Sequence, residues 1–116
     1  MNPSYIVEYY LSTSGDNPVK KFIDDLSLRE QAKVLRIFLY LESYGLQSVL
    51  PHVRKLTGTP LWEIRILGKD NIRMLYVIPK KELVLVLHGF MKKTQKTPSS
   101  EINTAIRRYE NWLKRT

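Results

Sequence analysis

The sequence predicts an α+β fold, an antiparallel sheet packed by an N-terminal helical hairpin and a C-terminal helix in the order β-α-α-β-β-β-α. Three observations predict it. Apolar residues recur with a helical period between Val19 and Leu41, with a period of two through Leu61–Leu67, and with a helical period again after Pro98. Gly15, Gly45 and Gly68, with Pro18, Pro51, Pro60 and Pro98, punctuate the boundaries between those segments. Leu83 to Leu87 is uniformly apolar, as a central strand covered on both faces must be. The 116 residues suit one domain spanning 1–116, with no repeat, low-complexity tract or linker.

Each element has its own signal. Tyr5 to Leu11 is aromatic and β-branched, a first strand, and Ser12 to Asn17 is a polar loop. Asn17 caps and Pro18 opens a short helix whose stripe is Val19, Phe22, Ile23 and Leu26. Ser27 and Glu30 form a capping box for a second helix, which Gly45 ends. Its buried face is expected to use Leu28, Ala32, Leu35, Phe38, Leu39 and Leu41.

A loop through Pro51 and Pro60 leads to the sheet. Leu61–Leu67 places Trp62, Ile64 and Ile66 on one face and Glu63 and Arg65 on the other. Gly68 to Asn71 is a turn, Ile72–Ile78 the return strand, and Pro79 to Glu82 the next turn. Leu83–Leu87 then runs into His88, Gly89 and Phe90. Thr97 is expected to cap a last helix that Pro98 starts. Ile102, Ala105, Ile106, Tyr109, Trp112 and Leu113 form its apolar face, with Arg107, Arg108, Lys114 and Arg115 outward.

Composition removes several function classes. Apolar residues are 43% and charged residues 26%, the profile of a folded globular chain. Cysteine is absent, which excludes disulfides, thiolate metal sites and a cysteine nucleophile. No apolar run is long enough to span a membrane, and the N-terminus carries no secretory signal, so a cytoplasmic location is expected. His52 and His88 are far apart in sequence with no third ligand pattern, and no phosphate-binding glycine loop is present, so neither a metal nor a cofactor is expected.

Charge is the positive clue. The net charge is +8, and the halves differ: residues 1–58 carry 7 basic and 6 acidic side chains, residues 59–116 carry 12 and 5. Such a surplus attracts polyanions, RNA, DNA or an acidic protein. Aligning the apolar faces of the hairpin sets Arg65 opposite Arg73, an unfavourable pair unless an anion or a carboxylate lies between them. Glu63 shares that face, so a surface charge ladder is the alternative to an anion clamp. Lys92, Lys93 and Lys96 follow the central strand and approach a helix N-terminus, adding cations to the same region. Phe90 beside them is either a stacking surface for a base or a core residue closing the strand.

The motifs Leu61-Trp-Glu-Ile-Arg65, Ile72-Arg-Met-Leu-Tyr76 and Leu87-His-Gly-Phe-Met-Lys-Lys-Thr-Gln-Lys-Thr-Pro98 resemble the RelE/ParE superfamily of toxins, closest to its HigB-like, phage-related branch. The Asn17-Pro18-Val19 helix start, the Tyr44-Gly45 helix end and Arg107-Arg108 fit the same pattern. The resemblance implies the RelE-like form of the fold. It also implies the toxin of a type II toxin–antitoxin pair, a metal-independent endoribonuclease (an mRNA interferase) that cleaves mRNA, commonly on the ribosome, and so inhibits translation. The implied partner is a helix-turn-helix antitoxin. The alternative within the superfamily is a ParE-like toxin that inhibits DNA gyrase without cutting nucleic acid.

On that resemblance the cationic catalytic surface maps to Arg65, Arg73, Lys92, Lys93 and Lys96; Lys96 is expected to hold the RNA backbone and Phe90, from its place beside the lysines, to contact RNA. Arginine keeps its proton at neutral pH, so Arg65 and Arg73 are expected to clamp the phosphate. Lys92 or Lys93 is expected to move protons, its pKa lowered by neighbouring cations, with His88 in reserve. The charged face of the last helix offers a surface to an acidic antitoxin segment or is simply solvated.

Overall fold

The computed structural model describes residues 5–66, 68 and 71–116. Among the described residues, five strands, three α-helices and one 3₁₀ segment follow in chain order. They are β1 (Ile6–Tyr9), α1 (Pro18–Asp24), α2 (Leu28–Tyr44), a 3₁₀ segment (Leu46–His52), β2 (Val53–Lys55), β3 (Trp62–Ile66), β4 (Ile72–Lys80), β5 (Leu83–Met91) and α3 (Ser99–Arg115). The sheet order is β1-β5-β4-β3-β2. The expected α+β class holds, with two additions. The loop after α2 contains the short strand β2, and β1 joins β5 in parallel, so the sheet is mostly rather than wholly antiparallel. Among the described residues, no helix is long and apolar enough to cross a membrane.

The caps explain where the helical hairpin begins and ends. The Asn17 side chain accepts from the Lys20 N–H at 3.0 Å. Ser27 and Glu30 exchange the two hydrogen bonds of a capping box. Gly45 then ends α2 at φ +83°, a conformation that costs a residue with a Cβ.

The sheet has a core on each face. Val84 and Val86 of β5 join Val19, Ile23, Val34 and Phe38 under α1 and α2, while Leu85 and Leu87 join Leu75, Val77 and Ala105 under α3. That double coverage is why the stretch reads as continuously apolar. β3 alternates as expected, Ile64 and Ile66 facing α2.

Three expectations need correction. The buried face of α2 is Val34, Phe38 and Leu41; Leu28, Ala32, Leu35 and Leu39 are exposed. β4 continues through Pro79 and Lys80, so the turn into β5 is only Lys81–Glu82, with Glu82 at φ +64°. Thr97 does not cap α3: Pro98 holds that position without a side-chain bond, and the Thr97 hydroxyl is engaged elsewhere. The expected strand end at Leu67 and the expected turn residues Lys69 and Asp70 lie outside the described residues.

Candidate active site

The hairpin register sets the site. β3 and β4 pair with Arg65 opposite Arg73, and Glu63 is opposite Leu75 on the same face. β2 adds Arg54 opposite Glu63. β4 and β5 pair Ile72 with Met91, and the Lys92 N–H donates to the Asn71 carbonyl at 2.8 Å, which carries Lys92 alongside the arginines. Side chains from four separate stretches thus converge on one end of one sheet face.

Glu63 organises them. It is 4% exposed, and a carboxylate that deep requires partners. Glu63 Oε1 lies 3.2 Å from Arg54 Nη2, 3.7 Å from Arg73 Nε and 3.9 Å from Lys92 Nζ. Glu63 Oε2 accepts from the Thr97 hydroxyl, and Arg54 also donates to Thr97 Oγ1 at 3.3 Å. Arg73, 9% exposed, donates to the Ile72 carbonyl at 3.2 Å. Three cations therefore surround one carboxylate, with Arg65 lining the same cavity, and a net positive charge remains to attract an anion. Glu63 is the anchor of the cluster, not a rung of an exposed charge ladder.

The cations border an open cavity of about 320 Å³, lined by His52, Arg54, Glu63, Arg65, Arg73 and Lys92 together with Pro51 and Val53. Arg65 stands exposed at its mouth. Burial lowers the pKa of Lys92; Glu63 opposes the fall, and Arg54, Arg73 and Arg65 add to it. Burial likewise lowers Arg73, with Glu63 opposing and Arg65 and Arg54 contributing. His52 offers an imidazole whose Nδ1 is buried and has no hydrogen-bond partner. Among the described residues, no group of three or more His, Asp or Glu side chains is placed to hold a metal ion.

The structure divides the expected site residues. Arg65, Arg73 and Lys92 meet at the cavity. Lys93 and Lys96 are exposed on the segment that follows and do not line it. Phe90 is 5% exposed in the core under α3 and stacks on His88 at a centroid distance of 5.6 Å, which leaves its ring no free face for a base. His88 is tied to α3, with Nε2 at 2.6 Å from Glu101 Oε1 and Nδ1 at 3.1 Å from Arg108 Nη1. Arg108 turns inward rather than outward, since its guanidinium reaches the Leu87 carbonyl at 2.8 Å and lies over the Tyr10 ring. Arg115 also folds back, onto the Leu11 and Ser12 carbonyls.

Arg54, His52 and Thr97 are the residues that sequence reasoning missed. Val53-Arg54-Lys55 is too short to show a period. Only the two-residue spacing of His52 and Arg54, which sends both toward one face once a strand is assumed, carried a signal.

A family model matches residues 21–110 under the description Phage derived protein Gp49-like (DUF891). No curated protein matches the chain. The match covers most of the chain, including every cation at the cavity, and the mostly antiparallel α+β fold agrees with it. The chain therefore belongs to the phage-derived Gp49-like family, a RelE/ParE-like toxin family of toxin–antitoxin systems.

Proposed function

We propose that the protein is the toxin of a type II toxin–antitoxin pair and acts as a metal-independent endoribonuclease on mRNA at the ribosome, held in check by a helix-turn-helix antitoxin. One observation carries the reading: buried Glu63 gathers Arg54, Arg73 and Lys92 around an open cavity with Arg65 at its mouth. Internal cleavage of RNA requires a base to take the 2′-hydroxyl proton, cations to stabilise the phosphorane dianion, and an acid to protonate the departing 5′ oxygen. Lys92 in its neutral form is the base, favoured by burial and by the arginines around it. Arg65 and Arg73 bind the non-bridging oxygens, where negative charge grows. His52 supplies the proton to the leaving oxygen. The 2′-oxygen displaces the 5′-oxygen at phosphorus, leaving a 2′,3′-cyclic phosphate and a free 5′-hydroxyl. Lys93 and Lys96 hold the flanking backbone outside the cavity.

The test is cleavage of ribosome-bound mRNA by purified protein with excess chelator. Cut message with cyclic-phosphate ends is expected. Arg65→Ala, at an exposed position, should slow cleavage by about 10²-fold without lowering the melting temperature. Intact mRNA in cells that the protein has arrested defeats the proposal and points to a non-nuclease target such as DNA gyrase.

A further inference from the structure

The cationic cavity draws on β2 to β5 and leaves the opposite edge of the sheet unused. There, among the described residues, β1 has a single neighbour, β5. The Ile6 N–H donates to Glu82 and the Tyr10 N–H to Val86, each at 2.9 Å. Strand alternation therefore turns the backbone groups of Val7 and Tyr9 away from β5, out of the sheet. A row of unpaired N–H and C=O groups is a template for another strand.

Beside that edge runs the second stripe of α2. Leu28, Ala32, Leu35 and Leu39 keep the spacing of a core face yet stand exposed, Leu35 at 49% and Leu39 at 58%. Between this stripe and β1 lies an open groove of about 750 Å³ whose apolar walls include Val7, Tyr9, Leu11, Leu35, Phe38 and Leu39. A contiguous exposed apolar surface of this kind marks an interaction site.

Charge says what covers it. The chain carries +8, but the charged side chains lining the groove are Glu8 and Glu42, and among the described residues neither is in an ion pair. Tyr9 reports the same field: its phenol pKa is raised by burial, then by Glu42 and by Asp24, the last itself paired with Lys20. A second copy pairing edge to edge would bring Glu8 and Glu42 of both chains together, and an acidic segment would meet the same repulsion.

We infer that this groove docks a partner polypeptide, which adds an extended segment to the edge of β1 with alternate apolar side chains on Leu35 and Leu39 and lysine or arginine beside Glu8 and Glu42. The mode is β-augmentation, in which main-chain bonds give affinity and alternate side chains give specificity. Because β1 and β2 are opposite edges, the docked partner leaves the cationic cavity open. Docking at this edge does not depend on nuclease activity.

The test is a phage-displayed library of random peptides, about 12 residues long to exceed one strand, selected on the whole protein and counter-selected on Leu35→Glu/Leu39→Glu. Both positions are exposed, so the variant is expected to fold, which circular dichroism checks. Surviving sequences should alternate apolar residues with lysine or arginine. A synthetic consensus peptide should bind at least about tenfold more weakly to that variant, and separately to Glu8→Lys. It should slow hydrogen exchange at the Val7 and Tyr9 amides, and Arg65→Ala should leave its affinity unchanged. No enrichment, survivors rich in Asp and Glu, or binding that leaves Val7 and Tyr9 unprotected overturns the inference. So does a wild-type dimer in sedimentation that Leu35→Glu/Leu39→Glu dissolves, since a second copy would then be the occupant.

Discussion

Arg65 and Arg73 face one another across a strand pair, and an isolated pair of that kind is unfavourable. Glu63 makes the arrangement stable by accepting from Arg54 and Thr97 while pairing with Arg73, and it also fixes where the surplus charge points. Lys92 inherits its chemistry from this neighbourhood. Its pKa is lowered, so its neutral fraction grows with pH up to that lowered value and then saturates. As the general base, acting with a general acid, it gives a bell-shaped cleavage profile whose acid limb rises about tenfold per pH unit. Lys92→Gln should remove that rising limb and cost about 10²–10⁴-fold in rate, while Lys93→Gln, at an exposed position, should keep it. Rate-against-pH profiles of the two variants decide the matter. Adjacent lysines cannot be told apart in a sequence, because the strand parity that separates them depends on where β5 ends. The opposed arginines were legible because the alternation of Trp62, Ile64 and Ile66 with Glu63 and Arg65 fixes which face each residue takes, and a one-residue slip would reverse it. Arg54 and Thr97 were not, since both reach Glu63 through tertiary contacts that no local period encodes.

Packing between elements explains both the successes and the misreadings. α2 carries two apolar stripes, and the leucine-rich one reads more strongly than Val34, Phe38 and Leu41. The sheet takes the second, which joins the core with Phe38 meeting the Tyr9 ring at a centroid distance of 5.9 Å. At the crossing of α1 and β5, Gly89 lets the helix approach. A Cβ there would lie 2.5 Å from Phe22 Cδ2 and 2.9 Å from Met74 Sδ. Gly89→Ala should therefore destabilise the protein by about 1–3 kcal/mol, read from the urea midpoint. The seam of β5 and α3 has a pH signature. Burial holds the His88 pKa below its ordinary 6.5, with the Glu101 hydrogen bond opposing and Arg108 adding to the fall. The unfolded chain thus takes up a proton near 6.5 that the folded one refuses until lower pH. Stability is unaffected above 6.5 and decreases as the pH falls through the window down to the folded value. In His88→Gln, urea unfolding at about pH 5 and about pH 8 should differ less than in the wild-type chain.

The whole molecule carries its charge unevenly, and the uneven part coincides with one end of the sheet. Arg54, Arg65, Arg73 and Lys92 line the cavity, and the exposed Lys93 and Lys96 follow on the segment leaving it. Arg107 borders a different surface, beside Tyr10 and Asp16. A diffuse attraction would weigh every surface cation alike, whereas a focused site would weigh only those near the cavity. Salt dependence separates the two. For single-stranded RNA the logarithm of affinity falls with the logarithm of salt by about 0.7 per phosphate contacted, so three to five contacts give a slope of about −2 to −3.5. Arg65→Ala should reduce that slope by about 0.7 and weaken binding of unrelated RNA sequences alike. Arg107→Ala should leave slope and affinity unchanged. Filter binding of a short unstructured RNA, titrated with potassium chloride, measures all three proteins. Equal losses from Arg65→Ala and Arg107→Ala would mean that RNA is held by net charge alone, and the cavity would then have no special claim on the phosphate.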